Sequence, residues 1–254
     1  MSKRQQEDQR LLLKIKSVYS ANKARYGSPR IHAELKDQGE HCSKKRIARI
    51  MRENKVQAKH KRKFKATTDS QHNLATAPNL LKQNFTALAP NKVWTADISY
   101  CWTQEGWLYL AVVLDLYSRK IVGWSINKRM SRKLVIDAFL MAYWSRKPKP
   151  GLIHHSDKGC QYASHDFQKT LSMAGALQSM SGTGNCYDNA VTETFFHSLK
   201  TELMFGEVFK TREEAKNAMF EYIEIYYNRQ RRHSTLGYCS PVKFEQYYDL
   251  ENVA

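Results

Sequence analysis

The chain lacks any apolar run long enough to cross a bilayer. Its longest, WLYLAVVL at 107–114, falls far short of the ~18 residues a spanning helix needs, and the charged start MSKRQQEDQR is followed by no apolar signal region. Both absences lead to the expectation of a cytoplasmic protein without membrane contact. Cysteine is scarce in pattern as well as in number. Cys42, Cys101, Cys160, Cys186 and Cys239 are odd in count and widely spaced, with no C-x-x-C pair, which argues against a disulfide framework or a zinc module. No internal repeat is visible, and 254 residues leave room for one large or two modest domains.

Acidic residues are few in one part only. Residues 1–66 hold 20 Lys and Arg against 6 Asp and Glu, whereas the remainder holds 21 against 18. A basic head on a balanced body suits a polyanion such as nucleic acid, because each cation that displaces a condensed counterion adds salt-sensitive binding free energy. Composition alone leaves open a merely solubilising basic face.

Within the head, Leu11, Leu12, Ile15, Val18 and Tyr19 recur at helical spacing and predict one amphipathic helix ending near Gly27. YGSPRIHAELKDQG restarts the pattern with Ser28 as N-cap, Pro29 in the first turn and Gly39 as the stop, and SKKRIARIMRENKV repeats it with Ser43 as cap. Three short helices in 1–58 form a helix-turn-helix region, whose third helix carries Lys44, Lys45, Arg46, Arg49 and Arg52 toward DNA. Residues 59–90 read as a basic and polar linker with one short helix around Leu80. Its run KHKRKFK places Lys61, Arg62 and Lys63 as a phosphate clamp or a solvated tether.

From Val93 the period changes. VWTADISY, GWLYLAVVLDLYS and KIVGWSI predict three strands of an antiparallel meander. SRKLVIDAFLMAYWSR predicts a helix with Leu134, Ala138, Leu140 and Met141 inward, GLIHHSD a buried strand, SHDFQKTLSMAG a helix and ALQSMS a strand. SGTGNCYDN follows as a Gly-containing mobile loop, then helices at about 190–203 and 212–228. The fold class is therefore α/β, a mixed sheet flanked by helices in a core spanning 91–228, with 229–254 as a basic tail.

Three acids fit one chemistry. Asp97 lies inside the first strand between Ala96 and Ile98, where an unpaired charge is costly; Asp157 ends a later strand; Glu193 sits on the first turns of a helix that Asp188 and Asn189 could cap. A phosphodiester is hard to attack because nucleophile and electrophile are both anionic, and divalent ions held by carboxylates neutralise both the entering and the leaving oxygen. Eighteen acids in the body make some triplet inevitable, so spacing alone does not settle this one. Asp115 is a rival, although a strand-end Asp opening a turn needs no chemistry, and Glu202 lies on another face of the helix.

The blocks VWTADISY, LDLYSRKIVGW, HHSDKGCQY, GNCYDNAVTETFFHSLKTEL and YYNRQRRHSTLGYCSPVKFE, in this order, resemble the successive signatures of insertion sequence 3 family transposases, specifically the second-reading-frame product. The head resembles that family's helix-turn-helix segment. The resemblance implies a ribonuclease H-like core related to retroviral integrases and an Asp, Asp, Glu triad whose last two members are separated by 35 residues; Asp97, Asp157 and Glu193 match it. Thr194, Cys160 and SGTGN depart from the usual pattern without touching the triad.

It also implies two Mg²⁺ ions, with Mn²⁺ able to substitute, held by those acids; cleavage at a transposon end and attack by the freed 3′-OH on a second phosphodiester; double-stranded DNA, both ends and target, as partner; a dimer or larger homo-oligomer on DNA; and a bacterial, nucleoid-associated location. The family's active enzyme is commonly a frameshift fusion with an upstream-frame protein. By helical spacing His197 and Lys200 share a face with Glu193, Lys200 toward a phosphate near the cut; His155 is a supporting residue beside Asp157. In the tail, Arg229, Arg231, Arg232 and His233 either grip DNA or pack on the core, DNA contact being the favoured reading. Two other functions share parts of this pattern: a regulator that only binds DNA, and a ribonuclease H-type nuclease without strand transfer.

Overall fold

The computed structural model describes residues 1–59, 76–182 and 189–253, which form two compact units. The expectations for Lys61, Arg62, Lys63, Asp188 and the loop at 183–188 lie outside the described residues.

The first unit contains three helices. In α1 (Lys3–Ala21), the Ser2 hydroxyl accepts from the Gln5 N–H while the Gln5 side chain accepts from the Ser2 N–H, a reciprocal cap; Leu11, Ile15 and Val18 form its buried stripe. Helix α2 (Ser28–Asp37) starts one residue earlier than expected. Gly27 is the N-cap and Ser28 is already helical, with Pro29 pre-setting the first turn. In α3 (Lys44–Glu53) the Ser43 hydroxyl accepts from the Arg46 N–H at 3.2 Å, as expected, and Ile47, Ile50 and Met51 point inward. The supposed tail divides, because Arg232–Tyr238 belongs to this helical unit. There the buried Tyr26 hydroxyl accepts from the Arg232 N–H at 3.0 Å, and the Arg232 guanidinium pairs with Glu34 at 2.6 Å and Asp37 at 2.7 Å.

The second unit is built on a five-stranded sheet, β1 (Val93–Thr103), β2 (Gly106–Asp115), β3 (Ile121–Asn127), β4 (Ile153–Ser156) and β5 (Leu177–Met180), in the order β3-β2-β1-β4-β5. The first three strands pair antiparallel, as expected for a meander; β4 adds parallel to β1 and β5 parallel to β4. One face packs on α4 (Arg132–Arg146) and α5 (His165–Met173), around Trp94, Ala96, Val113, Phe139, Tyr162 and Phe167.

The inward face of α4 is rotated from its expected position. Leu134, Val135, Ala138, Phe139 and Ala142 are buried, whereas Met141 remains 41% exposed. The reason is the close seat on β3: a Cβ added at Gly123 would stand 2.2 Å from the Ala138 carbonyl and 2.7 Å from the Ala142 nitrogen. The small residues Ala138 and Ala142, not the larger Met141, therefore face the strand.

No helix forms around Leu80. Residues 76–92 run as bends and turns, with the Leu80 N–H donating to Ser179 at 2.9 Å and the Met180 N–H to Pro78 at 3.3 Å, so this part of the linker lies along β5. Helix α6 (Ala190–Leu199) continues through a π-helical turn to Met204, and α7 (Arg212–Phe220) likewise to Tyr227, matching the two expected spans. A final helix, α8 (Pro241–Val253), occupies what was expected to be tail. Its buried Glu245 accepts from Ser118 and Lys120, each at 2.8 Å, and from Arg146 at 2.7 and 3.0 Å, binding the helix to the sheet unit.

Because the helix backbone meets β3 where Gly123 has no side chain, Gly123→Ala should destabilise the sheet unit by ~1–3 kcal/mol, read as a lower denaturant midpoint with an unchanged slope. An unaltered midpoint would show that α4 can lift from the strand freely.

Candidate active site

Strand alternation sends Thr95, Asp97 and Ser99 to the face of β1 opposite Trp94 and Ala96. Helix α6 covers that face. The Thr192 hydroxyl donates to the Thr95 hydroxyl at 2.8 Å, and the Asn189 amide donates to the Ala96 carbonyl at 3.2 Å, so the first turn of α6 is fixed to β1 with Glu193 beside its anchor. Parallel pairing of Thr95 with His155 carries β4 alongside, and Asp157 follows directly on its last residue, Ser156. The Asp157 carboxylate accepts from the Gly159 N–H at 3.0 Å, and a Cβ at Gly159 would stand 3.0 Å from that same oxygen; a glycine lets the loop close on the acid.

The charges of Asp157 and Glu193 both act on Asp97. The Asp97 carboxyl is held well above the ordinary carboxylate range, first by burial, then by the Asp157 charge, with Glu193 adding to it; the Ile98 N–H, at 2.7 Å, and the Lys200 charge pull the other way. Glu193 is exposed as a residue, yet burial around its carboxyl also pushes it up. The rival acid Asp115 differs in kind. It is fully buried but accepts from the Asn91 N–H at 2.7 Å and the Tyr117 N–H at 2.9 Å, with the Arg146 guanidinium 3.8 Å away, and so is structural.

The donor set is all oxygen, which suits a hard divalent cation. Among the described residues no three His, Cys, Asp or Glu side chains form a ready-made metal cage.

Residues 6–64 match the HTH-like domain model, and residues 87–186 and 193–248 match two integrase core domain models. A 31 kDa protein of insertion element IS600 from Shigella sonnei is 47% identical over 97% of this chain and 91% of its own length. The InsF transposase of insertion sequence IS3A from Escherichia coli K12 is 46% identical over 96% and 85%, and the IS904 transposase from Lactococcus lactis 48% identical over 97% of each. The chain belongs to the insertion sequence 3 family of transposases. The family's activity, DNA transposition by a polynucleotidyl transferase of the Asp, Asp, Glu type, is this protein's. A chain of the cryo-EM structure of the simian T-cell lymphotropic virus intasome in complex with PP2A regulatory subunit B56 gamma aligns with a TM-score of 0.53 at 15% identity, covering 91% of this chain and 74% of that one. The fold is ribonuclease H-like.

The transposase disposes its other expected residues unevenly. Lys200 lies just past α6 with its ammonium 4.9 Å over the Tyr100 ring, close enough for its charge to act on Asp97. His197 is exposed on α6. His155 is buried and turns to β5, where its Nδ1 and the Ser179 hydroxyl are 2.8 Å apart. On α3, Lys45 is exposed and Lys44 is exposed beside the Tyr238 ring. Arg46 and Arg49 instead grip Asp8 of α1 at 2.7 and 2.6 Å, so their first task is to join two helices. Two tail residues are corrections. Arg231 is 4% exposed and binds Glu202 at 2.8 Å, where Tyr222 also donates at 2.9 Å; Arg232 is taken up by Glu34 and Asp37.

Sequence reasoning missed Thr95, Thr192 and Tyr162. The phenol of Tyr162 is fully buried, and its proton is held on first by burial and then by the charges of Asp97 and Asp157. The aromatic ending of HHSDKGCQY was the available signal.

Two outcomes follow. Arg231→Ala strands a buried carboxylate and should cost ~3–5 kcal/mol of stability by denaturant titration; a residue serving only phosphate would leave the midpoint where it was. Because folded Asp97 keeps a proton that the unfolded chain releases, stability without metal falls as pH rises above ~4. Asp97→Asn should therefore melt above wild type at neutral pH in chelator, the gap closing near pH 3. A lower midpoint for the variant at neutral pH would contradict this.

Proposed function

We propose that Asp97, Asp157 and Glu193 are the catalytic acids of this transposase, that they work with divalent cations, and that the reaction comprises cleavage at a transposon end followed by 3′-OH strand transfer. The observation that carries this reading is the placement of Asp97 on β1, Asp157 directly after the paired strand β4 and Glu193 on the helix that Thr192 ties to Thr95, with the charges of Asp157 and Glu193 both opposing ionisation of Asp97. A cation is the natural relief for that repulsion. Asp97 and Asp157 would hold the ions, and Glu193 would complete one of the shells. Two Mg²⁺ ions, or Mn²⁺ in their place, would supply charge neutralisation at the entering and leaving oxygens of an in-line displacement.

The chain's own residues do the rest by placement. Thr95 and Thr192 fix the angle at which α6 presents Glu193, and Gly159 lets the loop fold back on Asp157. Lys200 contributes positive charge beside the reacting phosphate. Exposed Lys44 and Lys45 contact the DNA backbone, while Arg46 and Arg49, partly exposed, reach phosphate from their seat on Asp8. Double-stranded DNA, both ends and target, is the substrate, and joining two ends calls for at least a dimer on DNA. An upstream-frame protein or fusion is the further partner, and the bacterial nucleoid the site of action. No helix among the described residues is long and apolar enough to cross a membrane.

A nicking and strand-joining assay with Mg²⁺ tests the proposal. Glu193→Gln should lower both steps by ~10³-fold while leaving DNA affinity within a factor of about two, since the substitution leaves every basic residue of the helical unit in place. Mg²⁺ should also raise the wild-type melting temperature more than the variant's. DNA binding with no cutting by wild type would favour a regulator; cutting without joining, a plain nuclease.

A further inference from the structure

The far half of β1 carries aromatics that its own core does not need. Trp102 and Trp107 stand directly opposite each other across the β1–β2 hairpin and are 56% and 45% exposed. Their rings meet edge to face at 4.8 Å, and Trp107 meets Tyr100 at 5.1 Å with the planes perpendicular. A hairpin gains at most ~1 kcal/mol from such a cross-strand pair, and leaving two indoles half in water is an expensive way to obtain it.

The two ends of this row are cationic. The Lys200 ammonium sits 4.9 Å over the Tyr100 ring and acts on Asp97 from the same position. At the hairpin tip, the Arg212 Nε donates to the Trp107 carbonyl at 3.3 Å, and a Cβ at Gly106 would stand 2.8 Å from the guanidinium. Glu105 is also at the tip, its carboxylate accepting from the Arg212 backbone N–H at 2.8 Å. Aromatic faces between positive charges, the rings held by one another before any ligand arrives, are the arrangement that binds unpaired nucleotides: bases stack and phosphates follow the cations. Tyr100 lies on the alternate face of β1 from Asp97, and the link between the row and the acid is Lys200, whose ammonium sits over the Tyr100 ring while its charge acts on Asp97.

We propose that Tyr100, Trp107 and Trp102 form a stacking platform for unpaired bases of the DNA strand that adjoins the carboxylates. The bases at the reacting end leave the duplex and lie on the indoles, while Lys200 holds the phosphate between platform and triad. This rests on the catalytic reading above for the identity of the strand, but not for the platform's ability to bind it.

Binding is measured on the full chain, without divalent metal, using oligothymidylate of 12 nucleotides and a 30-base-pair duplex as probes. Oligothymidylate should quench the intrinsic tryptophan fluorescence of wild type. Trp102→Ala/Trp107→Ala should lose about 10-fold or more in affinity for it, while duplex affinity stays within about 2-fold and Trp107→Phe retains most of the effect. Should the double variant fail to fold, photocrosslinking of wild type to an oligomer bearing 5-iododeoxyuridine decides, with adducts expected on Trp102 or Trp107. Wild-type affinity in the folded double variant, or adducts confined to other residues, overturns the platform. Glu193→Gln separates the two ideas. Loss of oligothymidylate binding only in the tryptophan variants supports the platform whatever Glu193→Gln does to cutting, and unchanged cutting by Glu193→Gln sinks the catalytic reading alone.

Discussion

The constraint on which the catalytic unit turns is a carboxylate placed where a carboxylate is unwelcome. Asp97 is threaded into the central strand with Ala96 and Ile98 as neighbours, and its charge is opposed by Asp157 and Glu193. Most of the surrounding architecture serves to keep it there. β4 adds parallel so that Asp157 arrives at the same level, and the Thr95–Thr192 contact ties α6 to the face from which Glu193 approaches. An ordinary buried acid would be surrounded by donors, as Asp115 is. Asp97 accepts from the Ile98 N–H and has two like charges acting on it, and a group in that condition is poised for a cationic partner.

The same contrast explains what was legible in the sequence. A lone acid inside VWTADISY breaks the strand's apolar surroundings, so Asp97 announced itself; which segments form strands, the antiparallel meander of the first three and the α6 span followed from periodicity, whereas the parallel addition of β4 and β5 did not. Ser43 was recognisable as a cap because nothing competed with it, whereas at Gly27–Ser28 the glycine took the role by backbone conformation alone. Helix α8 escaped because its deeply buried anchor is Glu245, a residue that a search for apolar stripes scores as surface. The face of α4 was misplaced for a related reason: close packing on Gly123 selects small residues, and hydrophobic periodicity ranks Met141 above Ala142.

The arginines are the clearest case of a signal the sequence cannot carry. Arg231 and Arg232 look alike beside a nucleic acid, yet each is committed to carboxylates far away in the chain, Arg231 to Glu202 and Arg232 to Glu34 and Asp37. Positive charge in a sequence states an appetite for negative charge, and only the fold says whether a phosphate or a glutamate satisfies it. Of the basic residues on α3, the lysines retain solvent exposure while Arg46 and Arg49 are bound up with Asp8.

The route of the chain after Arg231 has a consequence for biosynthesis. The polypeptide leaves the sheet unit, contributes Arg232–Tyr238 to the helical unit, and returns to supply α8, whose Glu245 closes around Ser118, Lys120 and Arg146. Neither unit is one uninterrupted stretch of sequence. A ribosome emitting this chain from its N-terminus cannot finish either unit in turn. A message broken before α8 would yield a catalytic sheet with two cations and a serine deprived of the glutamate they surround, so truncated products are born defective rather than half-active.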